Sequence, residues 1–473
     1  MGTEGGPAAG EWEAVIGMEV HAQLSTRSKM FCGCTTDYIG APPNSTVCEV
    51  CLGMPGVLPV ANAKAVEQVV RTALALECEI SRHTKFDRKN YFYPDLPKGY
   101  QISQYDMPMA RSGRLSLGDR EIRITRVHLE EDTGRLVHAG DALETASESL
   151  VDLNRSGMPL MEIVSEPDLR SAEEARDYAV ELRGILRAVG ASEADMEKGQ
   201  LRAEANVSVR PRGSQELGVK TELKNINSFR ALHRAVAYEI ERQVRELEGG
   251  GRVVQETRGW SESEQRTFSQ RSKEFAQDYR YFPEPDLPPL ELRPDWVERL
   301  RASLPELPGE LRSRLGEQYA LSAFDVEQLS QESVTARLFE QTVAAGAPPK
   351  QAANWIIGNA PTLDAQRLAE LIGLVVAGTI NREQGVRVLE EAQASGRAPG
   401  EVVREQGLAQ VSDEAQLGVV VERVIADNPR AAADFRSGKQ QALGALLARV
   451  KEATGGSANM RLAAELLRNR LIQ

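Results

Sequence analysis

Hydrophobic and polar residues alternate along residues 13–24. Glu19, His21 and Gln23 fall on one side of this alternation, and the apolar residues of the other side are Ala14, Ile16, Met18, Val20, Ala22 and Leu24. Successive side chains of a β-strand point to opposite faces, so this pattern predicts a strand with one polar face.

Helical periodicity appears in three later stretches. Asn62 is a candidate N-cap for the first, and Ser171 with Glu174 forms a candidate capping box for the second, which stops at Gly190. The predicted helices cover residues 62–78, 171–190 and 229–247.

Further strands are predicted at residues 121–129, 201–210 and 218–223, so strands and helices intermingle in the first part of the chain. From Asp295 onward the pattern changes to short amphipathic helices separated by turns. This shift predicts an α+β domain followed by helical domains. The predicted divisions are a disordered N-terminus 1–11, a main domain 12–293 with a metal-binding loop 32–51, a helical domain 294–406 and a helical tail 407–473.

The 473 residues carry a net charge of −12 and contain no apolar run long enough to span a membrane. We therefore expect a cytoplasmic protein without a membrane partner, whose contacts with nucleic acid are local. Residues 434–473 are the basic exception, with seven Lys or Arg against three acids. This patch indicates an RNA contact or the solvated face of amphipathic helices.

Four cysteines are spaced as a tetrahedral metal requires. Cys32 and Cys34 are separated by one residue, and Cys48 and Cys51 by two. This spacing predicts a structural Zn²⁺ site, because four thiolates leave no open position for catalysis. The alternatives are free thiols or disulfides, and a reducing cytoplasm disfavours disulfides.

Several carboxylates occupy positions from which they could converge with Glu19 and His21. Glu130 and Glu131 end one strand, and Glu204 and Glu222 lie on others. Carboxylates on a sheet, with Arg202 and Lys224 nearby, are suited to Mg²⁺ and a phosphate-bearing ligand, although a solvated strand face would look the same. The sequence has neither a P-loop nor a dinucleotide-binding glycine motif, so a nucleotide would need another cradle.

Residues 88–104 and 278–286 mix cations, carboxylates and tyrosines. Pro94 and Pro97 exclude a regular helix or central strand from the first segment, which predicts a stiff loop that presents polar groups or an ordinary ordered surface loop. The second segment, read alone, is a ligand contact or an ordered linker.

The sequence FDRKNYFYPDLPKGYQISQ, which begins at Phe86, resembles the signature motif of the B subunits of the glutamyl/aspartyl-tRNA amidotransferases. The sequence DYRYFPEPD, which begins at Asp278, resembles a second motif of that family. The similarity extends from about Val15 to the C-terminus. It implies an antiparallel-sheet cradle similar to glutamine synthetase, in which ATP and Mg²⁺ activate the side-chain carboxylate of Glu-tRNA(Gln) or Asp-tRNA(Asn) for amidation.

The resemblance also implies roles for residues. The predicted catalytic residues are Glu19, His21, Glu130, Glu131, Lys98 and Asp95, with Mg²⁺ on Glu19, His21 and Glu131 and Zn²⁺ on the four cysteines. The predicted nucleotide- or substrate-binding residues are Arg202, Glu204, Asn206, Glu222, Lys224, Arg271, Lys273, Tyr279 and Arg280. The predicted ammonia path is lined by Lys85, Asp87, Lys89, Tyr91, Tyr93 and Tyr100, and the predicted tRNA-binding tail uses Lys439, Arg449, Lys451 and Arg461.

No glutaminase nucleophile is recognisable, because the cysteines form a metal-like cluster and Ser272-Lys273 lacks the context of an amidase. Ammonia is therefore expected from an amidase (glutaminase) partner, the A subunit of such a complex, which would also contain a small C subunit. Two alternatives stay open at this point: a stand-alone carboxylate–ammonia ligase and a non-enzymatic tRNA-binding scaffold.

Overall fold

The computed structural model describes residues 12–138, 148–272, 278–408, 414–454 and 458–472. The predicted disordered N-terminus, 1–11, lies outside the described residues. The strands within these ranges are, in chain order, β1 Trp12–Gln23, β2 Glu79–Ile80, β3 His83–Thr84, β4 Asp87–Asn90, β5 Tyr100–Ser103, β6 Ala110–Leu117, β7 Arg120–Glu131, β8 Arg135–His138, β9 Ser149–Asp152, β10 Pro159–Ser165, β11 Leu201–Pro211, β12 Thr221–Lys224, β13 Glu256–Ser261, β14 Arg266–Ser272, β15 Phe282–Pro283 and β16 Leu290–Glu291.

A nine-stranded sheet, counted over the described residues, dominates the first part of the chain, in the order β14-β13-β12-β11-β1-β10-β7-β6-β2. Its pairs are antiparallel except β12 with β13, which run parallel. The sheet is therefore mixed, whereas the family resemblance implied an antiparallel one. Helix α3 (Phe229–Glu248) lies between those two strands in the chain, and such a crossover is what a parallel pair requires.

Strand β1 lies at the centre of this sheet and confirms the predicted alternation. Met18 and Val20 are at most 1% exposed and belong to a core that also contains residues of helices α1 (Ala63–Ala75), α2 (Ala172–Ala188) and α3. The helices cover the apolar face, so the polar face of β1 is left for Glu19 and His21.

The predicted helix boundaries are confirmed to within a few residues. Asn62 caps α1 by accepting hydrogen bonds from the backbone N–H groups of Lys64 and Ala65. Ser171 caps α2, but the predicted reciprocal bond is different, because the Glu174 carboxylate accepts from the backbone N–H of Arg170 at 2.7 Å.

Residues 88–104, called the signature segment below, and residues 278–286 are the two tyrosine-rich segments, and they pair with each other. Strands β15, β4 and β5 form a small antiparallel sheet, with Phe282 opposite Arg88 and Lys89 opposite Gln101. The predicted stiff loop is therefore confined to the residues between β4 and β5. The flanks are extended because each can pair with a neighbouring strand.

The chain divides into two compact units, residues 1–309 and 310–473. Helix α4 (Pro294–Ala302) belongs to the first unit, since Val297 and Leu300 are part of its core, so this unit extends past the end of the strand-forming sequence. No helix in the described ranges has both the length and the apolar content to cross a membrane.

The second unit is helical throughout its described residues and has two hydrophobic clusters, one between Leu315 and Val403 and one between Leu417 and Leu471. Together with α5, which begins just before the unit boundary, its helices are α5 Pro308–Tyr319, α6 Ala323–Ser330, α7 Ser333–Ala344, α8 Pro349–Asn359, α9 Ala365–Val376, α10 Arg382–Ser395, α11 Pro399–Glu405, α12 Glu414–Asp427, α13 Pro429–Arg436, α14 Gln441–Ala453 and α15 Met460–Ile472.

Candidate active site and cysteine cluster

Four polar residues form a row across the centre of the large sheet. His21 on β1 lies opposite Arg202 on β11 and opposite Glu162 on β10, and Glu162 lies opposite His128 on β7. Directly paired residues on neighbouring strands project to the same face. The register therefore gathers side chains that are far apart in the sequence.

His21 is surrounded by carboxylates. Its Nε2 atom lies 3.3 Å from Glu162 Oε2, 3.7 Å from Glu130 Oε1 and 3.9 Å from Glu19 Oε1. Burial alone would lower the pKa of His21, but the hydrogen bond and charge of Glu162 outweigh it and raise the pKa to about 9. Burial and the neighbouring Glu162 raise the pKa of Glu19.

Glu162 bridges the two histidines. Its Oε2 atom lies 3.4 Å from His128 Nε2 as well as 3.3 Å from His21 Nε2. Burial opposes ionisation of Glu162, but His128, His21 and Arg126 together lower its pKa. The Nδ1 atoms of His21 and His128 are buried and have no hydrogen-bond partner among the described residues. Such a cluster has unused polar capacity, which a ligand can satisfy.

Two overlapping groups could hold a cation, namely Glu19, His21 and Glu162, and His128, Glu130 and Glu162. Within each group, one ligand atom from each residue lies within 4.8 Å of the others. The carboxylates fit Mg²⁺ and Mn²⁺, which prefer oxygen ligands, and the imidazoles add nitrogen ligands of the kind that transition metals accept.

Glu131 is not brought to His21, which corrects the predicted Mg²⁺ set. Glu130 and Glu131 are neighbours in β7, so their side chains point to opposite faces, and the carboxylate that joins His21 is that of Glu130. Glu131 instead forms an ion pair with Lys98, and its Oε1 accepts the backbone N–H of Ile102 at 2.9 Å.

The remaining charged residues of the polar face form ion pairs beside the histidine row. Arg202 Nη2 lies 3.0 Å from Asp132 Oδ2, and this cation helps to hold the pKa of Asp132 at about 2 although burial opposes it. Lys224 Nζ lies 2.8 Å from Glu204 and 3.3 Å from Glu222. Asn206 pairs with Glu222 across β11 and β12. The predicted nucleotide-binding residues on these two strands therefore share one face of the sheet.

Arg88 joins the two tyrosine-rich segments. Its guanidinium donates to both carboxylate oxygens of Glu284, at 2.7 and 2.8 Å, and lies 4.2 Å from the ring centre of Tyr100. The Glu284 side chain is completely buried. The buried bidentate pair fixes residues 278–286 against the signature segment.

Tyrosines surround Lys89. Its Nζ lies 4.9 Å from the ring centre of Tyr279 and 5.9 Å from that of Tyr91, and Tyr91 packs edge-on against Tyr93. Burial would lower the pKa of Lys89, but Glu130 and other nearby groups raise it.

Other predicted channel and catalytic residues have their own partners. Lys85 contacts Asp87 and lies 2.6 Å from Asp106, while Asp95 accepts the hydroxyl of Thr133 at 3.2 Å.

Arg280, Arg271 and Lys273 are among the predicted binding residues that lie in or just before residues 278–286. The backbone carbonyl of Arg280 accepts from Asn90 at 2.8 Å. The backbone of Arg271 belongs to β14, but its side chain and the whole of Lys273 lie outside the described residues.

The four cysteines lie together. The Sγ atoms lie within 4.8 Å of one another in Cys32, Cys34, Cys48 and Cys51, and no disulfide joins these residues. Tetrahedral Zn–S bonds of about 2.3 Å separate neighbouring sulfurs by about 3.8 Å, so the cluster fits Zn²⁺ after a small contraction. The thiol of Cys32 and other nearby donors lower the pKa of Cys51 to about 5, although burial opposes this.

A cavity of about 240 Å³ lies between the cysteine loop and the signature segment. Its walls include Cys51, Gly53, Lys98, Tyr100 and Glu131. The predicted metal loop and the predicted catalytic pair thus border one space.

Three of the predicted tRNA-binding cations lie on the last two helices of the chain, and Lys439 lies in the turn between α13 and α14. Lys439 pairs with Asp434 at 2.9 Å, Arg449 with Glu452 at 2.7 Å and Arg461 with Glu465 at 3.9 Å, and Lys451 is exposed. The nearby acids weaken the local positive field.

Sequence reasoning missed Glu162, the central carboxylate of the row. The available signal was a single glutamate within the apolar run Pro159–Ser165. A charge in a buried strand is rarely tolerated without partners.

Comparison with known proteins defines the class first. A family model described as the GatB/GatE catalytic domain matches residues 14–298, and one described as the GatB domain matches residues 337–471. The first match contains the histidine row, the cysteine cluster and both tyrosine-rich segments.

Relatives that span the whole chain define the family. Each is named as the B subunit of an aspartyl/glutamyl-tRNA(Asn/Gln) amidotransferase. The protein of Moorella thermoacetica is 52% identical over 98% of this chain and 100% of its own length. That of Thermomicrobium roseum is 52% identical over 98% and 99%, and that of Carboxydothermus hydrogenoformans 49% over 98% and 99%. The chain belongs to this family of amidotransferase B subunits.

Proposed function

We propose that this chain is the component that activates the side-chain carboxylate of Glu-tRNA(Gln) or Asp-tRNA(Asn) with ATP and completes the amidation with ammonia. The observation that carries the proposal is the cluster of half-buried His21 with buried Glu162 and His128, flanked by Glu19 and Glu130. A tRNA-binding scaffold has no need for such a cluster, and the names of the relatives state the reaction class.

Glu19 and Glu162, with Glu130 beside them, would hold Mg²⁺ in the polar face of the sheet, and His21 would join them through Nε2 after losing the proton that Glu162 stabilises. Such an ion supplies charge neutralisation for nucleotide phosphates. Lys224 and Arg202 provide fixed positive charges on the neighbouring strands, which suits them to orient those phosphates. They belong to the proposed binding surface for nucleotide and substrate, in a cradle similar to that of glutamine synthetase. The other members of this surface are Glu204, Asn206, Glu222, Arg271, Lys273, Tyr279 and Arg280.

The reaction is a phosphoryl transfer followed by an acyl transfer. The carboxylate attacks the γ-phosphorus of ATP, ADP leaves, and the acyl phosphate then contains a good leaving group in place of a carboxylate oxygen. Ammonia attacks the carbonyl carbon and inorganic phosphate departs. The nitrogen loses a proton in this step, and the Lys98–Glu131 pair and Asp95 are the proposed groups to accept and pass it.

The ammonia is proposed to come from an amidase, the A subunit of a cytoplasmic complex that also contains a small C subunit. The proposed ammonia path passes the signature segment, where Lys85, Asp87, Lys89, Tyr91, Tyr93 and Tyr100 offer polar groups along the way. In support, Tyr91 and Tyr93 pack together beside Lys89, whose pKa the charge of Glu130 helps to raise. The four cysteines are proposed to hold a structural Zn²⁺.

The test uses the full complex with an inactivated amidase. It is incubated with Glu-tRNA(Gln), ATP and either glutamine or ammonium chloride, and Gln-tRNA(Gln) is measured. Ammonium should restore product and glutamine should not, because activation resides outside the amidase. A folded, tRNA-binding complex that gives no product with ammonium would favour the scaffold alternative. Amidation of free glutamate at the same rate as charged tRNA would favour the stand-alone ligase.

A further inference from the structure

Gly53, two residues after the last cysteine of the cluster, lies directly against the side chain of Lys98. A Cβ atom added to Gly53 would lie 2.1 Å from Lys98 Cγ and 3.1 Å from Lys98 Cβ and Cδ. Two non-bonded carbon atoms do not approach to 2.1 Å, and 3.1 Å is closer than most such contacts. The absence of a side chain at Gly53 is therefore what makes room for the stem of Lys98.

The far end of Lys98 is held as tightly as its stem. Its ammonium pairs with Glu131, and the two side chains are only 9% and 3% exposed. Glu131 is itself fixed by the backbone N–H of Ile102, at 2.9 Å. Lys98 cannot relieve a clash at Gly53 by rotating its stem without disturbing this buried pair.

The loop that ends at Gly53 also approaches Glu131 from a second side. A Cβ atom added to Gly157 would lie 3.3 Å from Cys51 Cβ and 3.9 Å from Glu131 Oε2, so Cys51 and Glu131 border the same small space. The turn is closed by its own hydrogen bonds, from Leu52 N to Cys48 O at 3.0 Å and from Cys48 N to Cys51 Sγ at 3.1 Å. The cysteine turn thus lies next to both residues of the Lys98–Glu131 pair.

We propose that the cysteine loop positions the Lys98–Glu131 ion pair through Gly53, so that this loop acts on the reaction as well as on folding. The contribution to catalysis rests on the role of Lys98 in the proposed function; the positioning itself does not. Gly53 touches no reacting atom and is a positioning residue.

The direct test is the chemical reactivity of Lys98 in the full-length chain within its complex. Gly53→Ala is compared with Gly40→Ala, a matched control in the same loop, since both glycines have positive φ (+67° and +80°) but an added Cβ at Gly40 meets nothing within 4 Å. Acetylation of Lys98 by an amine-reactive ester is followed by mass spectrometry. Displacement from Glu131 should expose the amine and accelerate labelling by about tenfold or more in Gly53→Ala alone. Equal rates in the two variants would overturn the proposal.

A second variant covers the case in which Gly53→Ala does not fold. Lys98→Ala removes the Cγ atom that the new methyl group would meet, so the double variant Gly53→Ala/Lys98→Ala should fold with a Tm near that of Gly40→Ala/Lys98→Ala. Failure of this double variant to fold would show that the added methyl group does not act through Lys98, and the proposal would be wrong.

The catalytic arm separates this inference from the proposed function. With ammonium as nitrogen source, Gly53→Ala should lower amidation, and adding it to Lys98→Ala should lower it no further, because residues that act as one unit are not additive. Wild-type turnover by Lys98→Ala would refute the catalytic role of Lys98, and the labelling rates would then decide the positioning role alone. Additive losses would contradict the inference and leave the role of Lys98 intact.

Discussion

Glu162 is the carboxylate on which the polar cluster depends. It accepts contacts from two imidazoles, at 3.3 and 3.4 Å, while its side chain is only 7% exposed. A carboxylate that is this deeply buried is costly unless positive charge surrounds it, and here Arg126 and His21, whose pKa is raised to about 9, provide that charge. Removing the charge of Glu162 changes the electrostatics of both histidines at once.

We expect Glu162→Gln to lower the rate of ATP-dependent amidation by at least about tenfold and to raise the Mg²⁺ concentration needed for half-maximal activity. The amide keeps the size of the side chain but loses the charge that attracts a cation. Amidation measured against Mg²⁺ concentration at saturating ATP checks this. Glu166→Gln, at a half-buried glutamate just beyond β10 that bonds Thr125, is the control and should behave as the wild type. A normal Mg²⁺ response in Glu162→Gln would place the cation elsewhere.

The cysteine cluster is expected to hold one Zn²⁺ per chain. Reduced, purified protein should contain one equivalent by elemental analysis, and Cys48→Ser should lose most of it, because one thiolate of four is missing. Cys78→Ser is the control, since Cys78 is buried in the main core and lies outside the cluster. Zinc-free wild-type protein, or disulfides between these cysteines, would refute the prediction.

At the level of residues, the sequence predicts those clusters whose members lie close together in the chain. Cys32 to Cys51 lie within one loop, so their pattern alone indicates a cluster. Glu162 has no such local signal, because His21 and His128 reach it only through the register of β1, β10 and β7. The same limit explains why Glu131 was preferred to Glu130, since the facing of a strand end depends on its pairing.

At the level of elements, long periodic segments were predictable and short strands were not. Strand β1 and helices α1, α2 and α3 follow from periodicity and caps. The four-residue strands β4 and β5 owe their extended form to pairing with each other and with β15. Pro94 and Pro97 correctly exclude regular structure between them but say nothing of a partner some 190 residues away.

The buried pair of Arg88 and Glu284 is expected to hold this small sheet together. Arg88→Met should leave Glu284 buried without its cation, lower the free energy of unfolding by about 2 kcal/mol or more, and accelerate amide exchange at residues 279–284. Hydrogen exchange followed by mass spectrometry resolves this segment. Arg111→Met, at an exposed arginine that bonds only the Asp106 carbonyl among the described contacts, should change neither quantity. Unchanged exchange in Arg88→Met would show that backbone pairing alone suffices.

At the level of the whole molecule, the change from strand-forming to helical sequence predicts the α+β part and the helical part. It does not predict that α4 packs into the core of the first unit, because an amphipathic pattern does not indicate which surface the helix packs against. The order of strands in the large sheet is equally hidden, since β1 pairs with strands that begin at residues 159 and 201.

The helical tail is expected to serve tRNA affinity. Deleting residues 407–473 should raise the KM for charged tRNA far more than the KM for ATP, since the described part of this tail carries cations but no carboxylate cluster of the kind found in the sheet. The tail has its own hydrophobic cluster, so its removal leaves the core of the first unit intact. Steady-state kinetics with each substrate varied in turn measures the effect. Unchanged tRNA affinity in the folded deletion variant would refute the assignment.

The pairing of Arg88 with Glu284 spans 196 residues of chain, and this separation dictates an order of assembly during synthesis. While the ribosome is still making the residues between them, the signature segment has neither its β15 partner nor the counter-charge for Arg88. The tyrosine-lined surroundings of Lys89 therefore close only after Tyr279 and Glu284 have left the exit tunnel. A nascent chain arrested before that point presents an incomplete cradle, and contacts of such high sequence separation fold slowly.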